Sequence, residues 1–162
     1  MTDITPDSPD STASMRVLRQ FRVVFNAVKT HFRQVEREAG LGGAQLWALS
    51  VIDRRPGIGA TGLARELDIH QSTASNLVRS LVERGFVSTS REGADRRNVA
   101  LRALPAGLEI LRSAPLPFAG VLPDALASLD PATLARMEQD LQHLVDLLGA
   151  DPDGAKMPLA QL

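Results

Sequence analysis

The stretch from His70 to Leu104 constrains this chain more than any other. Its first half predicts one short helix. Ala74, Leu77, Val78, Leu81 and Val82 recur at helical spacing and so share one inward stripe. The opposite side carries Gln71, Ser72, Thr73, Ser75, Asn76 and Arg79. That face is hydroxyls, amides and one Arg, unlike the Glu/Lys mixture of an ordinary solvated helix. Ser72 is the expected N-cap, with Gln71 as the alternative boundary, and Gly85 after Arg84 is a left-handed stop. Phe86–Arg91 then has strand propensity and Asn98–Arg102 returns, around a tip Glu92-Gly93-Ala94-Asp95-Arg96-Arg97.

Small polar side chains let a helix approach a base-pair edge closely. Gln and Asn can pair bidentately with adenine, Ser and Thr can donate or accept, and Arg prefers guanine. An Arg on a hairpin tip can enter a narrow minor groove, where negative potential is strongest. A neighbouring Asp can hold such an Arg in one rotamer and so lower the ordering cost of binding. A polar-faced helix followed at once by a basic hairpin is the layout of a winged helix-turn-helix. The candidate DNA-binding residues are Gln71, Ser72, Thr73, Ser75, Asn76, Arg79, Arg91, Arg96 and Arg97. The plainer reading is a surface helix and hairpin whose Arg serve solubility. It loses ground because of the residues just before the stretch. Thr61 is a plausible N-cap for a helix Gly62–Leu67, with Ala64 inward and Ile69 in the following turn, so the pattern is helix, tight turn, helix.

The rest of the chain is organised around that unit, residues 41–104. Residues 1–12 are rich in Pro, Asp, Ser and Thr and read as a disordered tail. Residues 13–39 predict one long helix, ended by Gly40, in which Leu18, Phe21, Phe25, Val28, Phe32 and Val35 step as a heptad seam. Ala44–Asp53 predicts a second helix containing Trp47, the only Trp, expected in core or interface packing with a pocket lining as the alternative. Ile58 suggests a very short strand. Pro105 suits the first turn of a helix, Pro115, Pro117 and Pro123 interrupt the next stretch, and Asp130-Pro131 is a strong start signal. Leu134, Met137, Leu141, Leu144, Val145 and Leu148 form one more stripe, closed by Gly149, and 149–162 reads as a flexible tail. The fold class is therefore mainly α with a small β-hairpin. Residues 13–40 and 105–148 form a helical region with more apolar surface than a small winged helix can cover, and a second copy of the chain would cover it. The expected dimer contacts are Leu18, Phe21, Phe25, Leu141, Leu144 and Leu148.

Charge follows the same division. The net charge is −1 overall, but residues 41–102 carry nine Lys and Arg against six Asp and Glu, whereas 103–162 carry three against eight. Positive charge gathers on the helix and hairpin, and the acidic excess should face away from DNA. The absence of cysteine excludes disulfides and thiol sensing. No apolar run approaches a membrane span, and the acidic first residues are not a targeting signal, so a cytoplasmic protein is expected.

With these residues in view, the chain resembles the MarR family of transcriptional regulators over about residues 15–148. The carriers are Gln45-Leu46-Trp47-Ala48-Leu49, Thr61 to Leu67, Ser72 to Gly85, Asp95-Arg96-Arg97 and Pro105-Ala106-Gly107. Asp-x-Arg on the wing is the most specific of these, and Leu104 departs from the Thr usual before Pro-Ala-Gly. The resemblance implies a homodimer that binds a pseudo-palindromic operator, usually as a repressor. It implies that Arg97 enters the minor groove, oriented by Asp95, and that Ser72, Thr73, Ser75, Asn76 and Arg79 face the major groove. It also implies a small aromatic or anionic effector bound between the dimer helices and the winged helix. No cofactor or metal is expected. His31, His70 and His143 lie far apart in sequence, no nucleophile–base signature is present, and an enzyme is not expected. The rival reading is a winged helix used only for protein–protein contact.

Overall fold

The computed structural model describes residues 9–91 and 99–161. Among these, seven α-helices and one antiparallel hairpin form a winged helix-turn-helix with helical additions at both ends. Helix α1 runs Pro9–Ala39, α2 Gly43–Arg54, α3 Ala60–Leu67 and α4 Gln71–Glu83. Strands β1 (Val87–Arg91) and β2 (Val99–Ala103) come next, then α5 (Pro105–Ser113), α6 (Val121–Ala127) and α7 (Pro131–Leu148).

The core lies between α2, α3, α4 and the hairpin. Leu46, Leu49 and Ile52 of α2, Leu63 of α3, Leu81 of α4 and Leu101 of β2 are fully buried. Each such side chain contributes about 1.5–3 kcal/mol by leaving water. The expected inward stripe of α4 is observed at Ala74, Leu77 and Leu81, with Val78 half-buried. Val82 is instead exposed, because at 100° per residue it lies well round the helix from Leu81, beyond the reach of the core. The turn before α4 buries Ile69 against Ala64 and its neighbours in the same cluster, as the sequence pattern suggests.

Helix starts differ from expectation at two places. α3 begins at Ala60 with Gly59 as N-cap, not at a Thr61 cap, and α4 begins at Gln71 with His70 as N-cap, not at Ser72. Neither cap residue supplies a side-chain hydrogen bond. Extended backbone at the cap and packing of the helix determine these boundaries, so the side-chain preference of Ser and Thr does not decide them. Helix ends agree better. Gly85 has φ +74°, its amide donates to Val82 O at 3.0 Å, and the Phe86 amide donates to Leu81 O at 2.9 Å. These two bonds are the paired closure of a helix through a left-handed glycine.

The hairpin pairs Val87 with Ala103 and Arg91 with Val99. Ile58 forms no strand. It still accepts a bond from the Leu101 amide at 3.0 Å, while the Gly57 amide donates to Leu101 O at 2.8 Å, so the α2–α3 turn is fastened to β2. Pro123 lies within the first turn of α6, where no intrahelical amide donor is required, so it starts a helix after the break instead of prolonging it. Asp130 caps α7 as expected, its carboxylate accepting from the Thr133 amide at 3.0 Å and from the Thr133 hydroxyl at 2.7 Å.

The expected tails need correction. Residues 9–12 belong to α1, and the C-terminal segment read as a flexible tail folds into 3-10 turns at Pro152–Lys156 and Leu159–Gln161. Pro158 is buried and Ala160 packs against the core. Composition favoured a loose end, but the short apolar sequence Met157-Pro158-Leu159-Ala160 finds a groove to occupy.

Candidate nucleic-acid interface

α4 turns one side to solvent because the other is held by the core. Ala74, Leu77 and Leu81 point inward, and Ser72, Asn76 and Arg79 therefore project together from the opposite face, one turn apart. Gln71 is exposed beside them, while Thr73 and Ser75 are half-buried on the flanks. Glu83 ends the same exposed face with a negative charge, so the chemistry suited to an anionic, hydrogen-bonding surface belongs to the first turns. Arg91 is exposed at the end of β1. Asp95, Arg96 and Arg97 lie outside the described residues.

Two contacts fix the pose of α4, and sequence reasoning does not single them out for it. The Gln45 side-chain amide donates to Ser80 Oγ at 2.6 Å, joining α2 to α4, and the same Gln45 accepts from the Gly42 amide at 3.1 Å. Arg84 donates to Gly40 O at 2.8 Å and its guanidinium lies over the Phe86 ring at 5.1 Å. Arg84 thus ties the end of α4 to the end of α1 and is engaged with protein, although it is exposed. A hydroxyl at position 80, among apolar positions 77, 78 and 81, is the available signal for the first contact. Nothing local in the sequence indicates the second, which spans 44 residues.

Gly107 explains part of the Pro-Ala-Gly motif. A Cβ there would lie 2.5 Å from Phe86 O and 3.1 Å from Leu49 Cδ1, so only glycine lets α5 pass this close to the strand entry. Leu104, in place of a capping Thr, makes no side-chain cap bond. It is nevertheless anchored by its amide, which donates to Phe86 O at 2.8 Å.

Trp47 is half-buried. It packs on the core and also lines a cleft of about 870 Å³ between α2, α5 and the segment leading to α6. Leu108, Leu111 and Phe118 supply the apolar wall, and Arg54 and Arg112 stand at the cleft with Asp53 and Asp124. His31, the one buried histidine among the described residues, donates from Nε2 to Pro117 O at 3.1 Å and meets the Phe32 ring edge-on. Its ring is thus part of the link between α1 and the segment before α6.

The six residues expected at a dimer contact have little cover within one chain. Leu18, Phe25, Leu141, Leu144 and Leu148 are exposed, while Phe21 is half-buried and stacks on Phe25 with ring centroids 6.4 Å apart. No residue of α7 is buried. Among the described residues no helix is long and apolar enough to cross a membrane.

Comparison with known proteins places this architecture. Residues 39–98 match the MarR family profile. No curated protein matches the chain. A crystal structure of MarR is 28% identical over 59% of this chain and 70% of that one, with a TM-score of 0.50. PcaV from Streptomyces coelicolor, solved with its natural ligand, is 20% identical over 90% of this chain and 98% of its own, with a TM-score of 0.53. BpsR from Bordetella bronchiseptica, whose DNA binding is regulated by 6-hydroxynicotinic acid, is 22% identical over 80% of this chain and 98% of its own, with a TM-score of 0.54. The last two share the fold. With the profile matched from the end of α1 through β1 and the tip that follows it, and the winged-helix fold shared along most of the chain, this chain is similar to the MarR family.

Proposed function

We propose that the protein is a sequence-specific double-stranded DNA-binding regulator that grips a two-fold operator as a homodimer and represses from it. The observation that carries this reading is the solvent face of α4. Ser72, Asn76 and Arg79 present amide, hydroxyl and guanidinium groups together, on a helix pinned by the Gln45–Ser80 and Arg84–Gly40 contacts. A helix held in one pose presents base-reading groups without a large ordering cost. Exposed apolar stripes on α1 and α7 supply the surface through which two copies would join.

The cleft beside Trp47 is the proposed effector site. Its volume of about 870 Å³ and its apolar wall suit a small aromatic ring, and Arg54 and Arg112 suit an anionic substituent on it. A ligand there touches both α2 of the helix-turn-helix and α5 of the helical region, so it can favour one spacing of the two α4 helices over another. The regulation of BpsR by 6-hydroxynicotinic acid is a precedent for that ligand chemistry on this fold.

Selection of bound duplexes from a random pool tests the reading. The expected result is an inverted repeat with half-site centres about 10 base pairs apart. Binding should weaken steeply with salt, and Arg97→Ala should lower the slope of log affinity against log salt by about one contact. Retention of no duplex at low ionic strength overturns the proposal.

A further inference from the structure

The C-terminal segment after α7 does two things at once. Pro158, Leu159 and Ala160 sit in a groove formed by α1, α2 and the start of α6, where Val28, Phe32 and Trp47 form the floor. Gly43 makes the fit possible, because a Cβ there would meet the Phe32 ring at 2.2 Å and Ala160 Cβ at 3.1 Å. Small voids of about 70 and 60 Å³ lie along the segment. Four residues before Ala160, Lys156 pairs with Asp68, and the His70 amide donates to Lys156 O at 3.3 Å. Asp68 is the left-handed turn residue that ends α3, with φ +50°, and His70 is the N-cap of α4. One short segment thus plugs a groove at one end and holds the turn ahead of α4 at the other.

We propose that residues 150–161 are a displaceable strap: an intramolecular plug in the α1–α2 groove, latched to the turn that sets the position of α4. The attachment has the character of a device that releases. The Lys156–Asp68 pair is exposed to solvent on both sides, and such pairs hold weakly. Leu159 and Met157 remain well exposed, so the plug rests on the buried Pro158 and the half-buried Ala160. An apolar ligand that takes the groove must unseat the plug, and unseating it removes the Lys156 carbonyl from the His70 amide. Loss of the strap leaves the α3–α4 turn freer and so weakens duplex recognition. That last consequence rests on the proposed DNA-binding function, whereas Trp47 emission, probe binding and amide exchange report on the strap without it.

The test uses the full chain, Ala160→Asp, and a chain ending at Gly149. Trp47 is the only tryptophan and lines the same groove as the plug, so its emission reports seating directly. Both variants should shift Trp47 emission to the red. They should also bind the apolar probe anilinonaphthalene sulfonate about tenfold more tightly, as expected if the groove of the intact chain is open about one-tenth of the time. Ala160→Asp should also speed hydrogen exchange of the His70 amide severalfold, with helical circular dichroism unchanged. Lys156→Ala should speed that amide while leaving Trp47 emission in place. Unchanged Trp47 emission and His70 exchange in Ala160→Asp overturn the strap. Loss of helical signal in both Ala160→Asp and the shortened chain overturns it equally, since the segment would then be an inseparable part of the core.

Discussion

Asn76 and Arg79 point outward only because Leu77 and Leu81 point inward, so their chemistry can be changed without touching the core. Asn76→Ala or Arg79→Ala should leave thermal unfolding nearly unchanged and cost about 1–3 kcal/mol at the matching operator position. Binding of a panel of operator variants checks this. A residue that reads a base loses discrimination at one position, whereas a phosphate contact loses affinity uniformly. Gly107 is the converse case, a residue whose importance is confined to packing. Gly107→Ala forces a methyl group against the Phe86 carbonyl at 2.5 Å, where backbone must move. Overpacking of this kind typically costs about 1–3 kcal/mol, and chemical denaturation of the variant should show a lowered midpoint with an unchanged slope. DNA affinity measured well below that midpoint should fall only as far as the strand entry shifts.

At the scale of elements, helix ends obey different forces, and the start of α7 shows the strongest side-chain effect. The Thr133 hydroxyl and then the Thr133 amide hold the Asp130 carboxyl below its ordinary aspartate value. A carboxylate stabilised in this way supports folding above its unfolded pKa, and the support disappears as pH falls through the lower folded value. The gap in melting temperature between the native chain and Asp130→Ala should therefore hold from neutral pH down to about 5. It should narrow below about pH 4, where the unfolded aspartate begins to protonate. The same comparison explains what could be read in advance. Asp130-Pro131 and Gly85 were legible because each carries its own conformational preference. The starts of α3 and α4 were not, because Gly59 and His70 cap by backbone conformation alone and core packing sets the boundary. On the candidate face, Ser72, Asn76 and Arg79 could be placed by periodicity, since only the inward stripe is needed to locate the outward one. Gln45 to Ser80 and Arg84 to Gly40 could not be read this way, because they join residues distant along the chain.

At the scale of the molecule, one chain is an incomplete apolar object. Its core closes around α2, α3, α4 and the hairpin, and the C-terminal half of α1 joins it through Val35, while Val28 is buried near Leu122 and Leu159. Seven residues back from Val35 along the same seam is Val28, and the next steps, Phe25 and Leu18, lie open to solvent at 50% and 43% exposure. A heptad stripe that is covered at one end and bare at the other suits a second surface, and α7 carries a further exposed stripe in Leu141, Leu144 and Leu148. Two copies related by a two-fold axis would cover both stripes at once, since an isologous contact presents every surface twice. Phe25→Asp tests this where it is most sensitive. The substitution lies outside the packed winged helix, so the core around Leu46, Leu49 and Leu81 should still form. In the proposed dimer it would bury a carboxylate without a partner, which is severely unfavourable. Sedimentation should show native protein at twice the chain mass and the variant shifted to single chains. The variant should also lose most of its operator affinity, because a lone α4 reaches only one half-site. A variant that still sediments as a dimer and binds the full operator would place the subunit contact elsewhere and leave the bare half of α1 to some other partner.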